Sequence, residues 1–365
     1  LNIYTLLKNA LLTSLLLVTG NGGNASTIQL PFWLDANSEV VALQFDVTTD
    51  ASEIKLTGSE IAAAATSHTV SSAEITPTTT RFIIHNPEVN VLSNGAFLEV
   101  SLNISPPLGF NDLSLSIRNP VFANADGTRS FASIVTPPVV ELRNPANARS
   151  FPIERNLIIR VDAADADGTL EKVDIQVDGS TFLEDNNYPY EANWDPTTGT
   201  YTVKVVVTDN DGMSSETAEI PVRIFSFSEM QSYNAFKAIY FGENANNPEI
   251  ADPTSDPDGD AIENLLEYFL SLDPVYSDTQ SGPIFYLTEE AGNPFLVFQF
   301  TRLTAPQDLD FLVESSGDMV AWAEELDLTT ETTDHGDGTA TVVIKVPVQN
   351  DSNLSNFLRL QVTHE

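Results

Sequence analysis

Twelve residues, Asp256-Pro257-Asp258-Gly259-Asp260-Ala261-Ile262-Glu263-Asn264-Leu265-Leu266-Glu267, carry oxygen-bearing groups at intervals that can enclose a hard cation. Carboxylates stand at loop positions 1, 3, 5 and 12, the Asn264 amide at 9, and the Ile262 carbonyl at 7. Calcium takes about six to eight oxygen ligands, and alternate residues of a tight loop turn their side chains inward to supply them. Glu267, entering a helix, can then close the shell with both oxygens. Without a cation, carboxylates crowded into one short loop repel each other. Position 6 usually needs glycine because the turn is sharp, and here it is Ala261. Alanine in that conformation costs about 1 kcal/mol, weakening affinity without abolishing it. The expected metal ligands are therefore Asp256, Asp258, Asp260, Ile262, Asn264 and Glu267, with calcium as the cofactor. The competing reading is an ordinary Asp/Gly/Pro-rich surface turn.

Other chemistry is sparser. Asp162, Asp165 and Asp167, with Asp209, Asn210 and Asp211, read either as ordinary turn residues or as a calcium site between domains. Nucleophilic catalysis needs a base within hydrogen-bond reach, most often histidine. His68, His85, His335 and His364 are the four histidines, and none lies in a nucleophile motif. Neither Gly-x-Ser-x-Gly nor His-Glu-x-x-His occurs, and no glycine-rich phosphate loop or dinucleotide fingerprint is present. Paired-carboxylate glycosidase chemistry stays open, since that pairing is spatial. The expectation is a protein that is not an enzyme.

Composition narrows the classes. The chain has 365 residues, 42% of them hydrophobic, enough for several cores. Its length corresponds to about two to four domains. Lys+Arg number 16 against 52 Asp+Glu, a net charge of −36. Such a surface repels nucleic acid and anionic lipid and attracts divalent cations. There is no cysteine, which removes disulfides, thiolate metal sites and cysteine nucleophiles together. Lys8, the apolar run Leu11 to Val18 and the small residues Gly23-Asn24-Ala25 read as an export signal too short to span a bilayer. The mature protein is expected to begin near Ser26, outside the cytoplasm and without membrane insertion.

The elements that must position the acidic loop are mostly strands. Apolar residues alternate along Val41–Val47, at Leu98, Val100, Leu102 and Ile104, and at Leu113, Leu115 and Ile117. With "SPPLGFNDLSLSI" and "NPVFANADGT", this stretch resembles bacterial cohesin-like modules. The resemblance implies a jelly-roll sandwich, and dockerin binding as cohesins show in cellulosomes. After Thr136-Pro137-Pro138, a linker-like run, Asp-Gly turns separate further strands. "NPANARSF", "DAADADGTLEKVDIQVDG", "PYEANWD" and "GTYTVKVVVTDNDG" resemble a bacterial immunoglobulin-like domain with Trp194 packed between its sheets.

Beyond Phe225 the period becomes helical. Met230, Tyr233, Ala235, Phe236, Ile239 and Tyr240 form one stripe, with Ser226 or Ser228 as its N-cap and Gly242 as its end. Ile262, Leu265, Leu266, Phe269 and Leu270 form another. The twelve-residue loop has EF-hand-type spacing. "YFGENANNPEIADPTSDPDGDAIENLLEYFLSLDP" is similar to dockerin-like and thrombospondin type 3-like calcium segments of secreted bacterial proteins. In those segments a β-domain with a "VESS.D…W" pattern follows, matched here by Val313 to Ser316, Asp318 and Trp322. Only one loop is visible, whereas dockerins pair two.

The fold class is accordingly mainly β. The domains are expected as a signal peptide at 1–25, a jelly-roll-like sandwich at 26–136 and an immunoglobulin-like sandwich at 137–225. A short helical calcium-loop segment at 226–280 and a small β-domain at 281–365 complete the chain. The function implied is non-catalytic recognition at the cell surface, of a partner protein or a polysaccharide. Three alternatives stand beside it: a carbohydrate-binding adhesin, a purely structural envelope protein, and a polysaccharide-degrading enzyme accessory or hydrolase. Candidate sugar platforms are Phe32, Trp33, Tyr188 and Tyr190.

Overall fold

The structure, a computed structural model, describes residues 26–364 except 37–38, 107, 109, 154–156, 278–281, 305, 307, 317–318, 325–327 and 349–356. The expected signal peptide and Asp318 lie outside the described residues. The protein is mostly strand, and it divides into two compact units. One takes the chain up to Ala148 with Leu157–Trp194 and Tyr201–Val222; the other takes Arg149–Asn156, Asp195–Thr200 and everything from Arg223. No helix among the described residues is long and apolar enough to cross a membrane.

The first unit opens with eight strands: β1 (Ser26–Ala36), β2 (Val40–Thr49), β3 (Ile54–Ile61), β4 (Thr69–Thr76), β5 (Thr79–His85), β6 (Gly95–Ile104), β7 (Leu115–Asn124) and β8 (Ala132–Val135). They form two four-stranded sheets, ordered β3-β6-β1-β8 and β4-β5-β2-β7, a sandwich. Alternation explains the burial. Leu98, Val100, Leu102 and Ile104 point inward, while the intervening side chains stay partly or wholly exposed. Facing strands contribute Phe32, Phe45, Phe82 and Phe97, with Phe45 5.4–5.9 Å from the other three rings. Phe32 is fully buried, which corrects its candidacy as a sugar platform: the pleat turns it into the core.

Nine strands follow: β9 (Val139–Asn144), β10 (Arg149–Pro152), β11 (Leu157–Ala164), β12 (Leu170–Val177), β13 (Ser180–Asp185), β14 (Tyr190–Trp194), β15 (Gly199–Asp209), β16 (Ser214–Glu216) and β17 (Ile220–Phe225). β14, β11 and β9 make one sheet. In the other, β15 lies between β17 and β12, with β13 beyond β12 and β16 also paired to β15. Trp194 is buried, edge-on to Tyr201 at 5.1 Å. Tyr190 is buried as well, while Tyr188 remains exposed.

The second unit contains the helices. Helix α1 (Tyr233–Phe241) is capped by Ser232, whose hydroxyl oxygen accepts from the Ala235 N–H, and it ends at Gly242. The expected caps Ser226 and Ser228 lie one turn too early. Ser226 instead caps the 3-10 turn Phe227–Glu229 in a reciprocal box with Glu229, so the helix starts later than the apolar stripe. The short helix α2 (Pro248–Ala251) and helix α3 (Asn264–Leu270) flank the acidic loop. Seven strands follow: β18 (Ile284–Glu290), β19 (Asn293–Leu303), β20 (Leu309–Ser316), β21 (Ala323–Glu324), β22 (Thr329–Asp334), β23 (Thr339–Pro347) and β24 (Phe357–His364). They pair as β18-β19-β23-β22 and β21-β20-β24. Phe269 and Leu270 of α3 pack with Phe298, Phe300, Val313 and Val342 in one core, so the helix is seated on these sheets.

Candidate metal centre

The acidic loop is built by its own side chains. Asp256 accepts from the Gly259 N–H at 2.8 Å and the Ala261 N–H at 3.0 Å. Asp258 accepts from the Asp260 N–H, and Asp260 from the Ile262 N–H at 2.9 Å. These turns satisfy backbone donors that the tight path leaves without partners. Gly259 and Ala261 both take positive φ, 76° and 72°. The left-handed turn required at position 6 is therefore present, with a Cβ on it. Ligand oxygens of Asp256, Asp258 and Asp260 lie within 4.8 Å of one another, close enough for one ion to touch all three.

Helix α3 carries the fourth expected carboxylate. Glu267 sits in its first turn and is completely buried, and neither of its oxygens has a hydrogen-bond partner. Burial pushes this carboxyl up to about 9, and Asp258, Asp260, Asp273 and Asp256 push it further in the same direction. Asp258 is raised to about 6, again by burial first and then by Asp260 and Asp256. One of its oxygens is likewise buried and unpartnered. A buried anion with no donor costs several kcal/mol. A hard cation removes that cost, so the donor set fits calcium.

The remaining expected ligands are Asn264 and Ile262, and the Asn264 amide oxygen is buried and has no hydrogen-bond partner. Asn264 is buried, and its amide nitrogen donates to the Ile250 and Asp252 carbonyls at 2.7 and 2.8 Å, tying α3 to the end of α2. Ile262 is half-buried and packs against the terminal core just before the helix begins. Asp273, which sequence reasoning passed over, is buried and ion-paired to Arg149. That guanidinium lies between the rings of Phe151 and Tyr276, 4.6 and 4.9 Å from their centroids. Nothing in the local spacing pointed to Asp273, because it acts on Glu267 through space.

The histidines are dispersed. His68 bridges Ser67 and the Asn90 carbonyl, His335 meets Thr341, and His364 pairs with Asp308 at 3.3 Å.

The strand order and buried tryptophan of β9–β17 bear on what this chain is similar to. Residues 138–205 match the family model of a bacterial Ig domain. That bacterial Ig match falls within the stretch expected to be immunoglobulin-like. No curated protein matches the chain. Among solved structures, fibronectin(III)-like modules of Clostridium thermocellum CbhA align with 22% identity, over 24% of this chain and 94% of that one, at a TM-score of 0.22. The sixth cohesin of Acetivibrio cellulolyticus scaffoldin B, in complex with a Cel5 dockerin, aligns with 17% identity over 32% and 87%, at 0.26. A cohesin module from a Clostridium perfringens family 33 glycoside hydrolase aligns with 17% identity over 33% and 91%, at 0.23. At these scores the architecture rests on the strand pairing itself.

Proposed function

We propose that this protein is an exported, non-catalytic recognition protein whose second unit is held in shape by calcium. The observation that carries the calcium reading is Glu267, a fully buried carboxylate without a protein partner, under the influence of three aspartates that converge on one point. The first sandwich would contact a partner protein or a cell-surface polysaccharide, and the Ig-like sandwich would be structural. The net charge of −36 supports an extracellular setting with abundant divalent cations and disfavours nucleic acid.

Two measurements on the full chain test this. In the first, calcium at 100 times its Kd adds about 2.7 kcal/mol, roughly 5–10 °C in the melting of a unit this size. Asp260→Ala abolishes that rise; an unchanged response to calcium means the loop is not the site. In the second, the chain is screened against dockerin modules and polysaccharides, in calcium and in EGTA. Saturable binding to dockerins alone identifies an assembly module. Saturable binding to polysaccharide alone identifies an adhesin. Binding to neither overturns the recognition reading in favour of a structural envelope protein.

A further inference from the structure

In the second unit, the sheet β18-β19-β23-β22 protects one of its edges and leaves the other open. At one end β22, Thr329–Asp334, consists of threonine, glutamate and aspartate and is exposed along its whole length. Polar and charged side chains on an edge strand deter other strands from pairing with it. At the other end β18 reads Ile284-Phe285-Tyr286-Leu287 before its glutamates begin. No described strand pairs with its outer side. These four apolar residues are 52%, 55%, 43% and 71% exposed.

Both faces of β18 are uncovered. Phe285 lies opposite Phe298 and stacks on it at 4.3 Å, so Phe285 and Leu287 share the face that carries the core. The facing sheet, β21-β20-β24, has one strand fewer and leaves both exposed. Ile284 and Tyr286 alternate onto the other face. A globular surface would cover one face only. A neighbouring strand covers both, and it pairs with the backbone N–H and C=O groups of the edge at the same time.

The strand is complementary to itself when run antiparallel. With a two-fold axis through Tyr286, Phe285 of one copy faces Leu287 of the other, Ile284 faces Thr288, and the two Tyr286 residues face each other. Glu289 then falls beside Pro283 and Glu290 beside Gly282, so no glutamate stands against another. An in-register parallel pair would set the glutamates side by side. Glu290 is in addition held by Lys345 at 2.8 Å. Pro283 has no N–H, and it ends the pairing where the glutamates of the other copy begin. The polar edge at β22 keeps the sheet from growing at its far end, so the pairing closes as a dimer instead of continuing as a filament.

We infer that β18 is a dimer interface, at which two copies of this chain join their four-stranded sheets antiparallel about a two-fold axis through Tyr286.

Sedimentation equilibrium of the full chain tests this in roughly 0.15 M salt, where repulsion between two chains of net charge −36 is screened beyond about 8 Å. The wild type shows a monomer–dimer equilibrium, and Leu287→Lys weakens it by about tenfold or more. Leu287 is mostly exposed, so lysine there leaves the fold intact. Should circular dichroism show otherwise, Ile284→Lys decides. The chain has no cysteine, so single replacements report proximity cleanly. On mild oxidation Tyr286→Cys gives a disulfide-linked dimer, because the axis sets that residue opposite itself, whereas Thr332→Cys on β22 does not. A wild type that stays monomeric up to about 1 mM overturns the inference and leaves the edge to an extended segment of another protein. A dimer indifferent to both lysine variants overturns it as well, as does cross-linking of Thr332→Cys as readily as Tyr286→Cys.

Discussion

At the scale of residues, Ala261 and Glu267 carry opposite burdens. Ala261 holds a left-handed backbone that glycine adopts without penalty. Ala261→Gly should therefore tighten calcium binding about fivefold, the equivalent of about 1 kcal/mol, in a calorimetric titration. No change in Kd would show that the turn is equally strained with and without the ion. Glu267 is raised from 4.5 to about 9. The folded state thus holds this proton more tightly than the unfolded chain does. The proton's contribution is complete below 4.5 and disappears as pH rises through 9. In EGTA the second unit should accordingly melt at lower temperature as pH rises across that window, and Glu267→Gln should flatten the trend. At neutral pH calcium must displace the proton, so binding heats should differ between buffers of unlike ionisation enthalpy by about one proton released. Equal heats in both buffers would contradict a protonated Glu267.

At the scale of elements, one half-buried ion pair fixes a bulged strand. Asp46 lies on β2, where the register against β7 shifts between Gln44 and Asp46. Arg81 of β5 grips both its oxygens at 2.6 and 2.8 Å, and Asn119 of β7, at φ 53°, donates at 3.0 Å. The Arg81 hydrogen bonds hold the Asp46 carboxyl at about 2, against the partial opposition of burial. A depressed carboxyl stabilises above its ordinary 3.8 and ceases to do so as pH falls towards 2. Arg81→Met should lower the melting temperature at neutral pH, and the difference from the wild type should narrow as pH drops through that range. A constant difference would mean that the arginine contributes packing rather than charge.

At the scale of the whole molecule, the excess of carboxylates sets the response to salt. A net charge of −36 destabilises the compact metal-free chain by self-repulsion. Raising sodium chloride from roughly 0.01 M to 0.15 M shortens the Debye length from about 30 Å to about 8 Å. The metal-free protein should melt at higher temperature in the higher salt, while calcium affinity falls several-fold because the same screening weakens the attraction. Salt that lowered the melting temperature would place the dominant electrostatics in specific pairs such as Asp46–Arg81 instead.

How much of this was legible in the sequence follows from what each signal depends on. Alternation at Leu98, Val100, Leu102 and Ile104 predicted a half-buried strand, because side chains of a strand can only face two ways. The spacing of Asp256, Asp258 and Asp260 predicted their convergence, because a tight loop brings alternate residues to one side. The conformation at Ala261 followed from the same loop. Helix α1's first residue did not follow, since Ser226, Ser228 and Ser232 are all competent caps and only the packing of the turn at Phe227 selects among them. The burial of Phe32, the reach of Asp273 towards Glu267 and the open edge of β18 were likewise decided by tertiary structure. Local periodicity determines which way a side chain points. The groups it then meets come from distant parts of the chain, and only the packing of sheets against one another and against α3 brings them together.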